Sequence, residues 1–210
     1  MKRIPIALAL ALVLAAPLFA AGQETAAPQL QEDPRAPKFR DVERGFFFGL
    51  EAGYMGFFET PTSDPATYPY AGTGGGRSSG LVLGVTVGTD VGDRISVAAY
   101  GQGGNQTAGS RYGAFGLFAG GLDLRLAVYG KKDRNDNERF YLYVHGRGGY
   151  ARSYPEGLFG TNDIVFAGGP GIDYFTPLRH FSVGFAADYV YASKAKASGF
   201  SVYPTVRYTF

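Results

Sequence analysis

The chain of 210 residues contains no cysteine and no tryptophan, and it has only two methionines. The absence of cysteine excludes a disulfide scaffold, a cysteine-based zinc site, a thiol nucleophile and a lipid anchor on an N-terminal cysteine. No apolar run after residue 21 reaches the length of a transmembrane helix. If the mature chain lives in a membrane, it must therefore do so as a closed β-barrel, because lipid leaves no solvent for unpaired backbone groups.

An excess of charge of one sign is also lacking. The chain has 20 Lys+Arg against 18 Asp+Glu, a formal net charge of +2. This balance argues against a general polyanion-binding surface, so we expect no nucleic-acid partner. Lys2 and Arg3 supply the excess, and the chain without its first 22 residues is formally neutral.

Residues 1–22 have the pattern of a secretory signal peptide. Lys2 and Arg3 precede an apolar run over 4–21, which ends in small residues. The alternative is a membrane-anchoring helix, but the run is near the lower length limit and the polar Gln23 and Glu24 follow directly. We therefore expect residues 1–22 to be cleaved in a secreted chain.

Residues 23–44 differ in composition from the rest of the chain. They carry Pro28, Pro34 and Pro37 among charged and amide side chains, a mixture that cannot bury a core. We expect a flexible periplasmic leader. A docking strip for a partner is the alternative to a simple spacer.

Glycine and aromatic residues are abundant, with 32 Gly, 17 Phe and 15 Tyr. Together they favour β-sheet with tight curvature. From residue 45 onward apolar and polar or small residues alternate with period two, which predicts strands of about ten residues. Eight such segments occur, over residues 45–58, 81–91, 95–102, 121–128, 140–147, 164–174, 181–191 and 200–210.

The connections between these segments alternate in length. The longer ones cover 59–79, 103–111, 152–162 and 192–199, and the shorter ones cover 92–94, 130–138 and 176–179. Short periplasmic turns opposite longer outer loops are typical of outer-membrane barrels. An even number of strands then places both termini in the periplasm.

Periodicity alone does not say which face points outward, and a soluble β-sandwich or a lipocalin-like barrel has the same alternation. The polar face is rich in glycine, which suits the narrow interior of eight strands, and aromatics gather near strand ends as membrane girdles do. We therefore predict an all-β fold: an eight-stranded antiparallel up-and-down transmembrane β-barrel over residues 45–210.

The C-terminal residues support this prediction. Val206, Tyr208 and Phe210 alternate on the apolar face, and the chain stops at Phe210. This ending resembles the C-terminal signal of bacterial outer-membrane barrels. The resemblance implies the bacterial outer membrane as location, with outer-membrane lipid and the barrel-assembly machinery as partners. Pro204 departs from the pattern, because it brings no N–H to the closing strand.

The polar face carries charges that the barrel would enclose. Bare charges are costly in a confined interior, so we expect them to pair. The structural interpretation is a salt-bridged plug that fixes strand register and seals the lumen. The alternative is a proton or ion path through the single interior histidine, since histidine titrates near neutral pH. The predicted network comprises Glu51, Asp123, Arg125, His145, Arg147, Asp173, Asp188 and Arg207.

No enzyme is expected. His180 and Ser182 resemble the His-x-Ser pair of outer-membrane lipid A deacylases, but no Glu follows Glu156, and the pair lies at the periplasmic entry of its strand. The glycine-rich run at 72–76 lacks the Gly-Lys-Ser/Thr ending of a phosphate-binding loop. We expect no cofactor and no metal.

The sequence resembles the adventurous gliding motility family CglE of gliding bacteria in four stretches: QEDPRAPKFRDVERGFFFGLEAGYMGFFETP, YGQGGNQT, GGLDLRLAV and KASGFSVYPTVRYTF. The resemblance implies an outer-membrane component of a surface-motility apparatus that works with other envelope proteins. A general structural or adhesion barrel remains an alternative, since the first loop is rich in proline and aromatics. A narrow pore is the third possible function.

Overall fold

The computed structural model describes residues 42–59, 77–108, 114–133, 138–154, 162–178 and 180–210. The predicted signal peptide, nearly all of the predicted leader and most of the first loop lie outside these residues. The described residues form eight strands: β1 (Phe46–Phe57), β2 (Ser78–Val91), β3 (Ile95–Ala108), β4 (Ala114–Lys132), β5 (Glu138–Tyr154), β6 (Asp163–Phe175), β7 (Phe181–Ala192) and β8 (Ala197–Thr209).

Each strand pairs antiparallel with its neighbours in sequence, and β1 also pairs with β8, which closes the sheet into a barrel. The predicted fold class, an eight-stranded antiparallel up-and-down transmembrane barrel, is confirmed. Within the described ranges, no helix has the length and apolar character needed to cross a membrane.

Side chains alternate between the two faces of every strand, with apolar residues on the outside. Leu81 is 71% exposed and Leu122 is 66% exposed, whereas the adjacent Asp123 is 1% exposed. A soluble sandwich or lipocalin-like barrel would bury these leucines inside. Their exposure therefore favours the membrane barrel over both alternatives. Exposed aromatics lie near both rims. The rim where β1 begins and β8 ends, called the terminal end because both strand termini lie there, has Phe46, Tyr129, Tyr174, Phe181 and Phe210, and the other has Tyr54, Phe118, Tyr150, Tyr191 and Phe200.

The strands are longer than predicted. They contain 12 to 19 residues. β3 continues to Ala108, through most of the predicted loop 103–111, and β5 continues to Tyr154, into the start of the predicted loop 152–162. The prediction failed there because polar side chains carry the alternation. Gln106 points inward and is fully buried, while Thr107 points outward and donates to the Ser79 carbonyl at 3.0 Å.

At the barrel end where β1 ends and β8 begins, the inner face is apolar rather than polar. Phe57, the last residue of β1, points inward and is 2% exposed. Each large apolar side chain that is fully buried contributes about 1.5–3 kcal/mol of stability. The cluster contains Met55, Phe57, Val82, Tyr100, Phe115, Leu117, Ala119, Ala151, Val165, Val190, Ala192 and Ala197.

A carboxylate fixes the turn between β7 and β8. Asp163 accepts the backbone N–H groups of Lys194 and Ala195 at 2.7 and 2.9 Å. Lys196 closes the turn with a φ of 52°, in the left-handed region that few residues other than glycine adopt. The anchored turn explains how a non-glycine residue is held there.

A bulge interrupts the pairing of β4 with β5. The register shifts between Ala127 and Tyr129, so that Lys131 lies opposite Phe140. Strand structure therefore continues to Lys132 and resumes at Glu138, inside the segment 130–138 that the sequence assigned to a loop.

Two ladders are interrupted at prolines. The pairing of β1 with β8 skips Pro204 and Tyr203, and that of β6 with β7 skips Gly169 and Pro170. Proline has no backbone N–H to donate. Both prolines are exposed on the outer face.

Candidate functional site

The middle of the lumen holds a cluster of charged side chains. All eight residues of the predicted network point inward, and each is at most 8% exposed. They come from six strands: Glu51 from β1, Asp123 and Arg125 from β4, His145 and Arg147 from β5, Asp173 from β6, Asp188 from β7 and Arg207 from β8.

Arg147 is the central cation of this cluster. Its Nη1 and Nη2 donate to the two carboxylate oxygens of Glu51 at 2.8 and 2.5 Å, a bidentate pair across the lumen. Its Nε and Nη2 donate to Asp123 Oδ2 at 3.1 and 3.0 Å. The rings of Tyr100 and Tyr203 lie 5.2 and 4.9 Å from the guanidinium carbon. The two aromatic rings add cation–π attraction to the ion pair.

Arg125 lies next to Arg147 and shares its acids. Its Nε donates to Asp123 Oδ2 at 3.2 Å, and its Nη2 lies 3.5 Å from Glu51. Its Nη1 lies 3.8 Å from Asp173, a longer ion pair. The two arginines therefore share both Asp123 and Glu51, and Arg125 also reaches Asp173.

His145 lies between two carboxylates, and its side chain is inaccessible to solvent. Nδ1 lies 3.2 Å from Asp123 Oδ1, and Nε2 lies 2.7 Å from Asp188 Oδ1. The Tyr203 hydroxyl donates to the other Asp188 oxygen at 2.9 Å. Both ring nitrogens are engaged, so the arrangement holds the imidazole in one orientation.

Arg207 pairs with Asp90, a residue that the predicted network omits. Asp90 Oδ1 also accepts the Ser96 hydroxyl at 2.6 Å. The period-two pattern could have identified Asp90, since it alternates onto the polar face of β2 together with the interior glycines. The Phe47 ring lies 3.7 Å from the Arg207 guanidinium carbon.

Tyr100, Tyr143 and Tyr203 were also missing from the predicted network. All three are buried inner-face residues beside the interior arginines. Their alternation with outward residues placed them on this face, but aromatics were expected mainly outside. A narrow lumen filled with arginines favours tyrosine because its ring packs on the guanidinium.

The lumen is also filled at the end that carries the termini. Arg44, just before β1, lies 4.7 Å above the Tyr141 ring and 5.5 Å from the Phe175 ring. Its Nε lies 3.8 Å from the Asp93 carboxylate. The cavity left beside these side chains has a volume of about 30 Å³, which is close to the room needed by one water molecule.

The His180 and Ser182 pair does not form a catalytic arrangement. The ring of His180 contacts the Glu43 carboxylate and, at 2.9 Å, the Thr209 carbonyl. An acid does lie beside His180, but it comes from upstream in the chain. Ser182 is buried on the inner face of β7, opposite Arg207 of β8. In the described part of the chain, no group of three or more histidine or carboxylate side chains could hold a metal ion.

The C-terminal residues lie on the outer face at the rim. Val206 is 47% exposed and Phe210 is 65% exposed. The ring of Phe210 lies 5.6 Å from that of Phe46 and 5.0 Å from that of Tyr208, and its N–H donates to the Phe46 carbonyl at 2.9 Å. The aromatic terminus thus joins the first strand to the last.

No family model and no curated protein matches the chain. The structure of Neisserial surface protein A (NspA) aligns with a TM-score of 0.57 and 14% identity, over 79% of this chain and 97% of that one. Ail, the attachment invasion locus protein of Yersinia pestis, aligns at 0.45 and 13%, over 80% and 100%. Outer membrane protein OprG from Pseudomonas aeruginosa aligns at 0.42 and 14%, over 81% and 99%. The likeness to NspA shows that the chain has the fold of a small eight-stranded barrel.

Proposed function

We propose that this protein is a non-enzymatic barrel of the bacterial outer membrane with a sealed lumen, which acts through its surfaces and protein partners. The observation that carries the proposal is the bidentate pair of Arg147 with Glu51, joined to Asp123 across the middle of the lumen. The interior of an eight-stranded barrel is just wide enough for side chains to fill. The apolar cluster above the network and Arg44 below it leave little room for a water path.

The exterior supports a membrane location. A belt of exposed leucine, valine and phenylalanine surrounds the barrel, with aromatics at both rims. Exposed apolar area of this extent is stable in lipid and prone to aggregation in water. Both termini then lie in the periplasm, outer-membrane lipid surrounds the belt, and the barrel-assembly machinery reads the terminus at Phe210.

The more specific proposal is a role in surface gliding motility. It rests on the four sequence stretches that resemble the gliding motility family and on the absence of a catalytic arrangement among the described residues. A barrel without transport or catalysis acts by holding partners, here other envelope proteins of the motility apparatus. A general structural or adhesion barrel is the alternative.

Conductance in planar bilayers tests the sealed lumen. We expect the purified wild-type barrel to give no steady single-channel current. A double variant, Glu51→Ala with Arg147→Ala, removes the central pair and is expected to allow small, brief currents. Large steady currents through the wild-type barrel would overturn the proposal.

Deletion of the protein tests the motility role. We expect single cells to glide poorly, while permeability to small solutes and the acylation of lipid A stay unchanged. Complementation with the wild-type chain restores gliding. If the deletion strain glides normally, the motility role is lost, and reduced surface binding in the same strain would favour adhesion.

A further inference from the structure

A groove with basic side chains lies outside the lumen, at the end of the barrel that carries the termini. Its volume is about 330 Å³. We name it the basic groove, and it is lined by Lys131, Lys132, Asp133, Arg139, Phe140, Tyr174 and Pro177.

The bulge in β4 places Lys131 in this groove. Asp123, Arg125 and Ala127 point inward, so an unbroken alternation would send Lys131 into the lumen as well. The register shift after Ala127 pairs Lys131 with Phe140 and turns it to the outer face, where it is exposed. Bulges commonly re-aim a side chain in this way.

Arg139 fixes the opposite wall of the groove. Its Nε donates to Asp133 Oδ2 at 2.7 Å, and its Nη1 donates to the Thr176 carbonyl at 2.9 Å. These contacts connect the β4–β5 hairpin to the β6–β7 turn and hold the guanidinium in place. The lining therefore carries three cations and one carboxylate, although the mature chain as a whole is formally neutral.

The depth of the groove matches that of lipid headgroups. Phe140 and Tyr174 lie directly opposite each other on β5 and β6 and point outward. Tyr174 belongs to the aromatic row at this rim, which also includes Tyr129 on β4. Aromatic rows of this kind lie at the headgroup level of a membrane, so Lys131 and Lys132 reach the depth of the phosphates.

We infer that the basic groove binds the phosphodiester headgroup of an anionic phospholipid from the leaflet around that end of the barrel. The two ammonium groups face the phosphate, and Phe140 and Tyr174 pack against the glycerol and the first methylenes of the acyl chains. Charge complementarity selects the anionic lipid over a zwitterionic one, whose own ammonium opposes Lys131 and Lys132. The inference rests on the proposed membrane location and is independent of the sealed lumen.

Lipid retention measured by native mass spectrometry tests this inference. The barrel is refolded in detergent with equal amounts of phosphatidylglycerol and phosphatidylcholine, and the bound lipids are counted. The variant K131Q/K132Q removes both charges and keeps polar side chains that are one atom shorter. The matched control, K194Q/K196Q, removes two lysines from the β7–β8 turn at the other end. Heat modifiability on gels confirms that all three proteins fold.

We expect the wild type and the control to retain phosphatidylglycerol over phosphatidylcholine by roughly tenfold, and K131Q/K132Q to lose that preference. High salt weakens the lipid preference of the wild type and of the control, because the site is exposed and its charges are screened. The inference would be overturned if the wild type shows no preference, if K131Q/K132Q keeps the preference, or if the control loses it equally. A folded barrel that fails here leaves the conductance test unaffected, so the two proposals fail separately.

Discussion

Asp123 contacts three ionisable side chains in the lumen. It accepts Arg125 and Arg147, contacts the His145 ring, and lies 1% exposed in the lumen. Removal of one partner from a buried ion pair is costly because the charges left behind are neither solvated nor paired. Two arginines depend on this side chain, so its loss affects both.

We therefore expect Asp123→Ala to lower the free energy of unfolding by about 3–5 kcal/mol. Urea unfolding of the barrel in lipid vesicles measures this change. The matched control is Asp93→Ala, since Asp93 pairs with Arg44 at 3.8 Å but is 86% exposed. Exposed pairs contribute about 0–1 kcal/mol, and equal effects of the two variants would contradict the buried network.

A hydroxyl group contributes at the same site. Tyr203 donates to Asp188 at 2.9 Å, and Asp188 in turn holds His145. We expect Tyr203→Phe to cost about 1.5–3 kcal/mol, the range for a hydrogen bond to a charged group. Tyr189→Phe is the control, because Tyr189 points outward and is 59% exposed. Unfolding in the same vesicles compares them, and a Tyr203→Phe barrel as stable as the control would show that the hydroxyl contributes nothing.

The identities of the interior residues were predictable, but their partners were not. Period-two alternation placed Glu51 and Arg147 on one face of their strands. The pair joins residues 96 positions apart, and Arg207 meets Asp90 across 117 positions. Which charges meet across a barrel depends on strand stagger and tilt, which no local pattern encodes. The pairing of Asp90 with Arg207 was hidden for that reason, although alternation already placed Asp90 on the inner face.

Close backbone contact between strands is the main constraint at the scale of the element. A Cβ atom on Gly121 of β4 would lie 2.0 Å from the Gly148 carbonyl oxygen and 2.5 Å from Gly149 Cα. A Cβ atom on Gly146 of β5, which faces outward, would have no neighbouring atom within 4 Å. Close backbone contact therefore requires glycine at position 121 but not at position 146 of the same hairpin.

We expect Gly121→Ala to destabilise the barrel by about 1–3 kcal/mol, because backbone atoms must move apart. Gly146→Ala should be neutral or stabilise slightly, since alanine lowers the entropy of the unfolded chain. The folded fraction of each variant, followed on gels across a urea series, gives the comparison. A Gly146→Ala barrel less stable than Gly121→Ala would refute the steric explanation.

All eight strands were predictable from period two, but their ends were not. The pattern was recognised through apolar residues, so it stopped where Gln106 and Thr107 continue the alternation with polar groups. The bulge was invisible for a related reason. One inserted residue exchanges the two faces, and Lys131 then reads as part of a polar loop although it lies on the outer face of a strand.

At the scale of the whole molecule, closure depends on the contact between the first and last strands. Phe210 packs on Phe46 and donates its N–H to the Phe46 carbonyl. We expect deletion of Phe210 to slow the appearance of the heat-modifiable form in the outer-membrane fraction, followed over time after induction. Phe210→Tyr keeps an aromatic terminus and is expected to assemble at the wild-type rate. If the truncated chain assembles equally fast, the terminus is not an assembly signal.

The closed sheet also determines how the barrel carries mechanical load. The chain enters β1 through Arg44 and Gly45, and β1 is held by twelve residue pairs with β2 and nine with β8. A pull on the segment before residue 42 along the barrel axis loads both ladders in shear, so many hydrogen bonds resist together. The closed sheet therefore resists extraction by a force applied through residue 42.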